Sequence, residues 1–253
     1  MNNDGTRILL KFTGLGEFAE LWDAVNEKKI ATLTSEATKC SCNRTVYYAN
    51  GFSPDGRTAV VSFGGMTFLW DAETGKLLNR LVDEEDSFYG YKIMTHGYGV
   101  EKLLFNHNGK TIITASADGV TSWNAGTGEL IQRFKQDPPR STYSLALSPD
   151  ENILATGGYS RNIRLWDFKT GKLLWKSADI GKTVRELSFS PDGKKLSSMT
   201  SSKLTIWDVQ TGKPLMQISV TDALFSNFSP DWRLVTWYDN KTKTMGLYEY
   251  SGK

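Results

Sequence analysis

Cysteine is nearly missing from this chain, with Cys40 and Cys42 alone among 253 residues and only one residue between them. That excludes a disulfide framework and a four-ligand zinc site built from cysteine, and both thiols are expected to be free. Histidine is as scarce, with only His96 and His107. No apolar run approaches the roughly 20 residues that span a bilayer, so no membrane partner is expected. The opening residues Met1-Asn2-Asn3-Asp4-Gly5 lack the basic and apolar regions of a secretory signal, and the expected address is cytoplasmic. Charge of one sign is also lacking. The 30 Lys and Arg against 28 Asp and Glu leave a formal +2, which creates no field favouring nucleic acid or an anionic membrane. No segment sustains a 3.6-residue apolar period between helix caps, so essentially no helix is expected.

Apolar residues make up 39% and charged ones 23%, enough to bury a core and too little charge for a disordered chain. The sequence also repeats, and a repeat period fixes architecture before any single element does. An aromatic followed by an acidic residue or Asn recurs at Trp22-Asp23, Trp70-Asp71, Trp123-Asn124, Trp166-Asp167 and Trp207-Asp208, and weakly at Tyr248-Glu249. A tight turn follows at Thr74-Gly75-Lys76, Thr127-Gly128-Glu129, Thr170-Gly171-Lys172, Thr211-Gly212-Lys213 and Ser251-Gly252-Lys253. Upstream of the aromatic lies a third beat: Phe52-Ser53-Pro54-Asp55-Gly56, Phe105-Asn106-His107-Asn108-Gly109, Leu147-Ser148-Pro149-Asp150, Phe189-Ser190-Pro191-Asp192-Gly193 and Phe228-Ser229-Pro230-Asp231. Proline presets φ, aspartate bonds its own backbone, and glycine takes the positive φ that closes such a turn. Between turns sit strand-length runs such as Thr58 to Phe63, Ile163 to Trp166 and Leu204 to Trp207, rich in β-branched, aromatic and aliphatic residues.

Three beats in fixed order resemble the WD-repeat β-propellers. The resemblance covers nearly the whole chain and implies an all-β fold, a β-propeller of about six four-stranded WD-type blades. It makes 1–253 a single propeller domain, with repeats near 1–33, 34–82, 83–134, 135–177, 178–220 and 221–253. The first and last blades are incomplete: Asn3-Asp4-Gly5 matches the turn after an absent first strand, and Ser251-Gly252-Lys253 the turn before an absent final one. About 22 strands are expected rather than 24. The expected account is a fragment of a longer propeller, ahead of an imperfect ring that closes by direct contact of its end blades.

In this family a histidine before the innermost strand, a turn aspartate, a strand hydroxyl and the Trp form a structural hydrogen-bond network. His96, Asp118, Thr114 or Ser116, and Trp123 fit it in one repeat. The same group could be a catalytic triad, but the resemblance favours a blade lock, and no catalytic residue is assigned. The other blades carry Gly64-Gly65, Tyr159-Ser160-Arg161 and Ser201-Ser202-Lys203 at the matching turn and are expected to rely on apolar packing. Trp232 stands where a turn glycine belongs, so that turn is expected to change type.

The loop entering the innermost strand and the next hairpin turn open on one face in the family, its top. There Asp83-Glu84-Glu85-Asp86-Ser87-Phe88-Tyr89-Gly90-Tyr91 forms an insertion continuing to Tyr98. Carboxylates beside Phe88, Tyr89, Tyr91 and Tyr98 suit a protein or peptide with a basic segment; the plainer reading is a solvated loop folded back on the rim. Arg44 and Tyr47 near the cysteines, Arg140 after Pro138-Pro139, and Tyr159 and Arg161 complete the candidate face. Tyr47 and Tyr48 sit at a strand start, where one of them is more readily core. The Cys-x-Cys pair could hold a soft metal or redox partner, yet no further ligand lies near it in sequence, and no metal or cofactor is assigned. The lysines lack interleaved aromatics, which argues against nucleic acid.

The expected function is a non-catalytic protein–protein interaction scaffold. The alternatives are a sensor or interaction domain of a larger multidomain protein, or a quinone-dependent propeller dehydrogenase. The second rests on Trp166-Asp167-Phe168-Lys169-Thr170-Gly171-Lys172-Leu173-Leu174-Trp175, a signature that no other repeat carries in full.

Overall fold

The computed structural model describes residues 1–11, 19–34, 49–63, 66–81, 99–117, 119–135, 141–229 and 231–249, with 11, 63, 224 and 225 as backbone only. The described residues hold 22 strands and no helix, arranged in six antiparallel sheets. The chain divides into two compact units, Met1–Pro139 and Arg140–Lys253.

In the first unit, β1 (Arg7–Lys11), β2 (Ala19–Asp23) and β3 (Lys28–Leu33) form a three-stranded sheet. β4 (Asn50–Phe52), β5 (Thr58–Phe63), β6 (Met66–Asp71) and β7 (Leu77–Arg80) form a four-stranded meander. So do β8 (Val100–Phe105), β9 (Thr111–Ser116), β10 (Val120–Asn124) and β11 (Leu130–Phe134). In the second unit the meanders are β12 (Thr142–Leu147), β13 (Ile153–Gly158), β14 (Arg164–Asp167) and β15 (Leu173–Lys176), then β16 (Glu186–Phe189), β17 (Lys195–Met199), β18 (Lys203–Asp208) and β19 (Pro214–Ser219). A three-stranded sheet of β20 (Ala223–Phe228), β21 (Leu234–Asp239) and β22 (Thr244–Glu249) completes it. Each sheet falls inside one sequence repeat. The expectation of six WD-type blades, the first and last short of a strand, is borne out.

The turns explain the meanders. Ser53 Oγ donates to Asp55 Oδ1 at 2.6 Å while accepting from Thr58 N at 2.9 Å, closing the β4–β5 turn. Ser148 and Asp150, Ser190 and Asp192, and Ser229 and Asp231 repeat that 2.6 Å bond. At the second beat Thr74, Thr170 and Thr211 each donate both N–H and Oγ–H at 2.7 Å to Asp71, Asp167 and Asp208. Hydrogen bonds from those threonine hydroxyls, first of all, hold the three carboxyls below their usual range. The register shifts by a bulge at Trp22, Trp70, Trp123, Trp166 and Trp207, so the aromatic marks the same kink in five sheets.

Sheets pack face to face within each unit. Leu21 and Leu33 meet Val61, Phe68 and Trp70 between the first two sheets, and Val60 and Leu69 meet Ile112 and Trp123 between the next two. In the second unit Ala155, Ile163 and Leu165 meet Leu187, Leu196 and Trp207, while Met199 and Leu204 meet Ala223 and Val235. β6, β10, β14 and β18, each covered on both faces, are accordingly largely buried, their polar Thr67, Thr121, Ser122, Arg164 and Thr205 included. β22 differs: among the described residues no fourth strand lies beside it, and Met245 and Leu247 are 58% and 66% exposed.

One turn corrects the sequence reading. Trp232 adopts φ +60°, as the glycines of sister turns do, and its N–H reaches Ser229 O at 2.8 Å as Gly193 N reaches Ser190 O. The turn keeps its type. The ring stacks on Phe228 at 4.3 Å and is 7% exposed, and this burial offsets the backbone strain.

Candidate functional site

Of the sequence candidates, Arg44, Tyr47, Phe88, Tyr89, Tyr91, Tyr98 and Arg140 lie outside the described residues, as do His96, Asp118 and both cysteines. Tyr159, Arg161, Thr114, Ser116 and Trp123 are described.

Trp123, fully buried, donates its indole N–H to Thr114 Oγ1 at 2.8 Å. The Ser116 hydroxyl faces Gly119 O instead, at 3.4 Å. The same bond appears where apolar packing alone was expected: Trp166 Nε1 donates to Thr156 Oγ1 at 3.0 Å and Trp207 Nε1 to Ser198 Oγ at 2.8 Å. The expectation fails there because it tied the tryptophan to the turn aspartate, whereas a hydroxyl across the β-pair suffices to satisfy a buried indole. Thr156 and Ser198 stand ten and nine residues before their tryptophans, as Thr114 stands nine before Trp123. That spacing was the signal available in the sequence. In the second sheet Val61 holds the position, and Trp70 leans on Phe68 at 6.3 Å.

Tyr159 and Arg161 occupy the β13–β14 turn. In an antiparallel meander that turn, the link from β15 to β16 and the β17–β18 turn all emerge at one end of their sheets. The contacts agree. Ile180 N–H donates to Arg161 O at 2.9 Å, Arg161 pairs with Asp179 at 2.8 Å, and Asn162 donates to Ser177 O at 3.0 Å. Arg161 sits at φ +55°, its N–H on Gly158 O, and Tyr159, 54% exposed, meets Tyr143 edge to face at 4.7 Å. Below them Arg164 is buried and donates to Ser160 Oγ at 2.9 Å, and burial pulls its pKa down. Further along this end, Arg185 donates to Ala223 O at 2.7 Å, and Glu186 accepts from Ser226 N and Oγ at 2.8 and 3.0 Å. The fifth sheet is thereby tied to the sixth.

A cavity of about 540 Å³ opens at the same end. Its rim is Asp179, Gly181, Lys182, Ser202, Lys203 and Gln217, exposed, and its floor is Thr205 and Trp207, buried. None of these residues stood among the sequence candidates, because each is an ordinary polar or repeat residue until the links bring them together.

A family model described as WD domain, G-beta repeat matches residues 128–167. That stretch runs from the third-sheet turn through β14, and together with the six antiparallel sheets it supports a WD-repeat fold of about six blades. Among curated proteins, it is 30% identical to the WD repeat-containing protein SL1-17 of Schistosoma mansoni over 57% of this chain and 49% of that protein. It is also similar to eukaryotic translation initiation factor 3 subunit I of Coccidioides immitis, at 27% identity over 46% of this chain and 36% of the relative. The Neurospora crassa protein of the same name is 30% identical, over 43% of this chain and 31% of its own length. Each match thus spans half or less of the relative. Among the described residues, no helix is long and apolar enough to cross a membrane.

Proposed function

We propose that the chain is a non-catalytic scaffold whose blades present a loop face to a protein or peptide partner, in the cytoplasm. The observation that carries this reading is the end of the fourth sheet, where Tyr159 stands exposed on Tyr143 beside Arg161. Exposed tyrosine and arginine on an anchored turn are what interface centres favour, the tyrosine as rigid contact area and Arg161 because Asp179 already holds it in place. The WD repeat at 128–167 supports it, as do relatives named as subunits of an initiation factor, which are by name parts of an assembly. Within the proposal, the stretch from Asp83 to Tyr91 supplies carboxylates for a basic segment of the partner.

The test is affinity capture from source-cell lysate with the whole chain, beside Tyr159→Ala with Arg161→Ala, and Phe88→Ala with Tyr89→Ala and Tyr91→Ala. The expected result is a partner retained by the parent chain and lost from both variants. Retention by both variants would remove this face from the proposal.

A further inference from the structure

The cavity between the β15–β16 link and the β17–β18 turn has a charge pattern that the scaffold reading does not use. We propose that it accepts an oxyanion, phosphoryl or carboxylate, carried on a side chain of a bound peptide. This deepens the scaffold reading and rests on it.

The wall chemistry argues for a negative ligand. Asp179 is the one carboxylate in the lining, and Arg161 already pairs with it at 2.8 Å from outside the cavity. Among the described residues Lys182 has no ion-pair partner, and Lys203 Nζ is met only by the neutral Gln217 Oε1 at 3.2 Å. Two ammonium groups therefore face one space with no carboxylate left to balance them. Thr205 adds a hydroxyl from the floor, and it makes no side-chain hydrogen bond to the described residues. An oxyanion with several lone pairs satisfies such a set, whereas a neutral amide cannot answer two ammonium groups.

The site is also held in shape. Gly181 N–H donates to Asp179 Oδ1 at 2.7 Å, and Ile180 N–H to Arg161 O at 2.9 Å, so the link that carries Lys182 is fastened to the neighbouring turn. On the other side Thr200 Oγ1 accepts from Lys203 N at 3.0 Å and from Ser202 N at 3.3 Å, fixing the turn that carries Lys203. Trp207 spends its indole N–H on Ser198 and offers the cavity ring surface alone. A volume of about 540 Å³ far exceeds one phosphoryl group and is within the range of small-ligand pockets. The remaining space suits the peptide backbone around the charged side chain, lying against Trp207.

The experiment is a two-dimensional amide NMR titration of the full chain at low salt with three capped amino acids: N-acetyl-O-phosphoserine, N-acetyl-glutamate and N-acetyl-serine methylamides. The expected result is saturable shifts at Gly181, Lys182, Ser202, Lys203 and the Trp207 indole with an anionic probe and none with the serine probe. Lys182→Ala and Lys203→Ala should each weaken the affinity about threefold to fivefold, the size of an exposed charge contact. Lys194→Ala, at the opposite end of the sheet, should leave it unchanged. Binding of the phosphoserine probe alone assigns a phosphoryl source, and binding of both anions assigns carboxylates as well. Equal shifts with the neutral probe, no saturation by any probe, or unchanged affinity in both lysine variants would overturn the proposal. The titration needs no partner. Saturable binding with failed capture would therefore discard the scaffold reading alone, and failed titration with successful capture would discard the cavity alone.

Discussion

The tryptophan that recurs in five repeats carries one polar group into the packing, its indole N–H, and a strand hydroxyl accepts from it in three sheets. Ser198→Ala removes the acceptor for Trp207 and leaves a buried donor unsatisfied, at a cost of about 1–3 kcal/mol. Chemical denaturation should show that loss. A second residue couples stability to pH. Burial pushes the Glu101 carboxyl up to about 7, above the ~4.3 of an unfolded glutamate. The folded state thus holds the proton more tightly, and the chain loses stability as pH rises from the unfolded value through about 7. Glu101→Gln should raise the melting temperature at pH 8 and leave it nearly unchanged at pH 4. An equal gain at both values would mean that the effect is packing and not ionisation.

At the scale of elements, most of the fold was legible because each turn carries its own chemistry. Ser-Pro-Asp-Gly and Asp-x-x-Thr-Gly read as turns by spacing alone, and the hydrogen bonds at Ser190 and Asp208 are the ones that chemistry dictates. The reading failed at Trp232, because a lone positive-φ residue looks forbidden until its stacking partner Phe228 is known. It also missed the cavity, whose lysines come from two links more than 15 residues apart and gain meaning only when the antiparallel topology puts both at one end. Two glycines separate turn strain from sheet packing. Gly193 at φ +68° has only Pro149 Cδ near an added methyl, at 3.6 Å, so Gly193→Ala should cost about 1–2 kcal/mol from φ alone. Gly128 has nearly the same φ, +76°, but its methyl would strike the Arg80 carbonyl oxygen of β7 in the adjacent sheet. Gly128→Ala should therefore cost clearly more, because backbone of a second sheet must move. Equal losses in thermal melts would show that the two sheets yield freely at that contact.

At the scale of the whole molecule, stability in a repeat array comes from each sheet burying its faces on its neighbours, so at least three repeats are needed for a stable body. Each compact unit here meets that requirement with three sheets and two inter-sheet cores of its own. In the second unit the middle sheet is covered on both sides, through Leu187 and Trp207 on one face and Met199 and Leu204 on the other. Side-chain bonds from Arg185 and Glu186 to Ala223 and Ser226 reinforce the second of these contacts. Residues 140–253 expressed alone should consequently give a β-type circular dichroism spectrum and a cooperative melt. Leu204→Ala in that fragment should lower its stability by about 2–5 kcal/mol, since the side chain is fully buried where two sheets meet. A gradual, non-cooperative melt of the fragment would instead place the folding unit above three sheets, and the interaction face of the fourth and fifth sheets would then depend on the full chain for its shape.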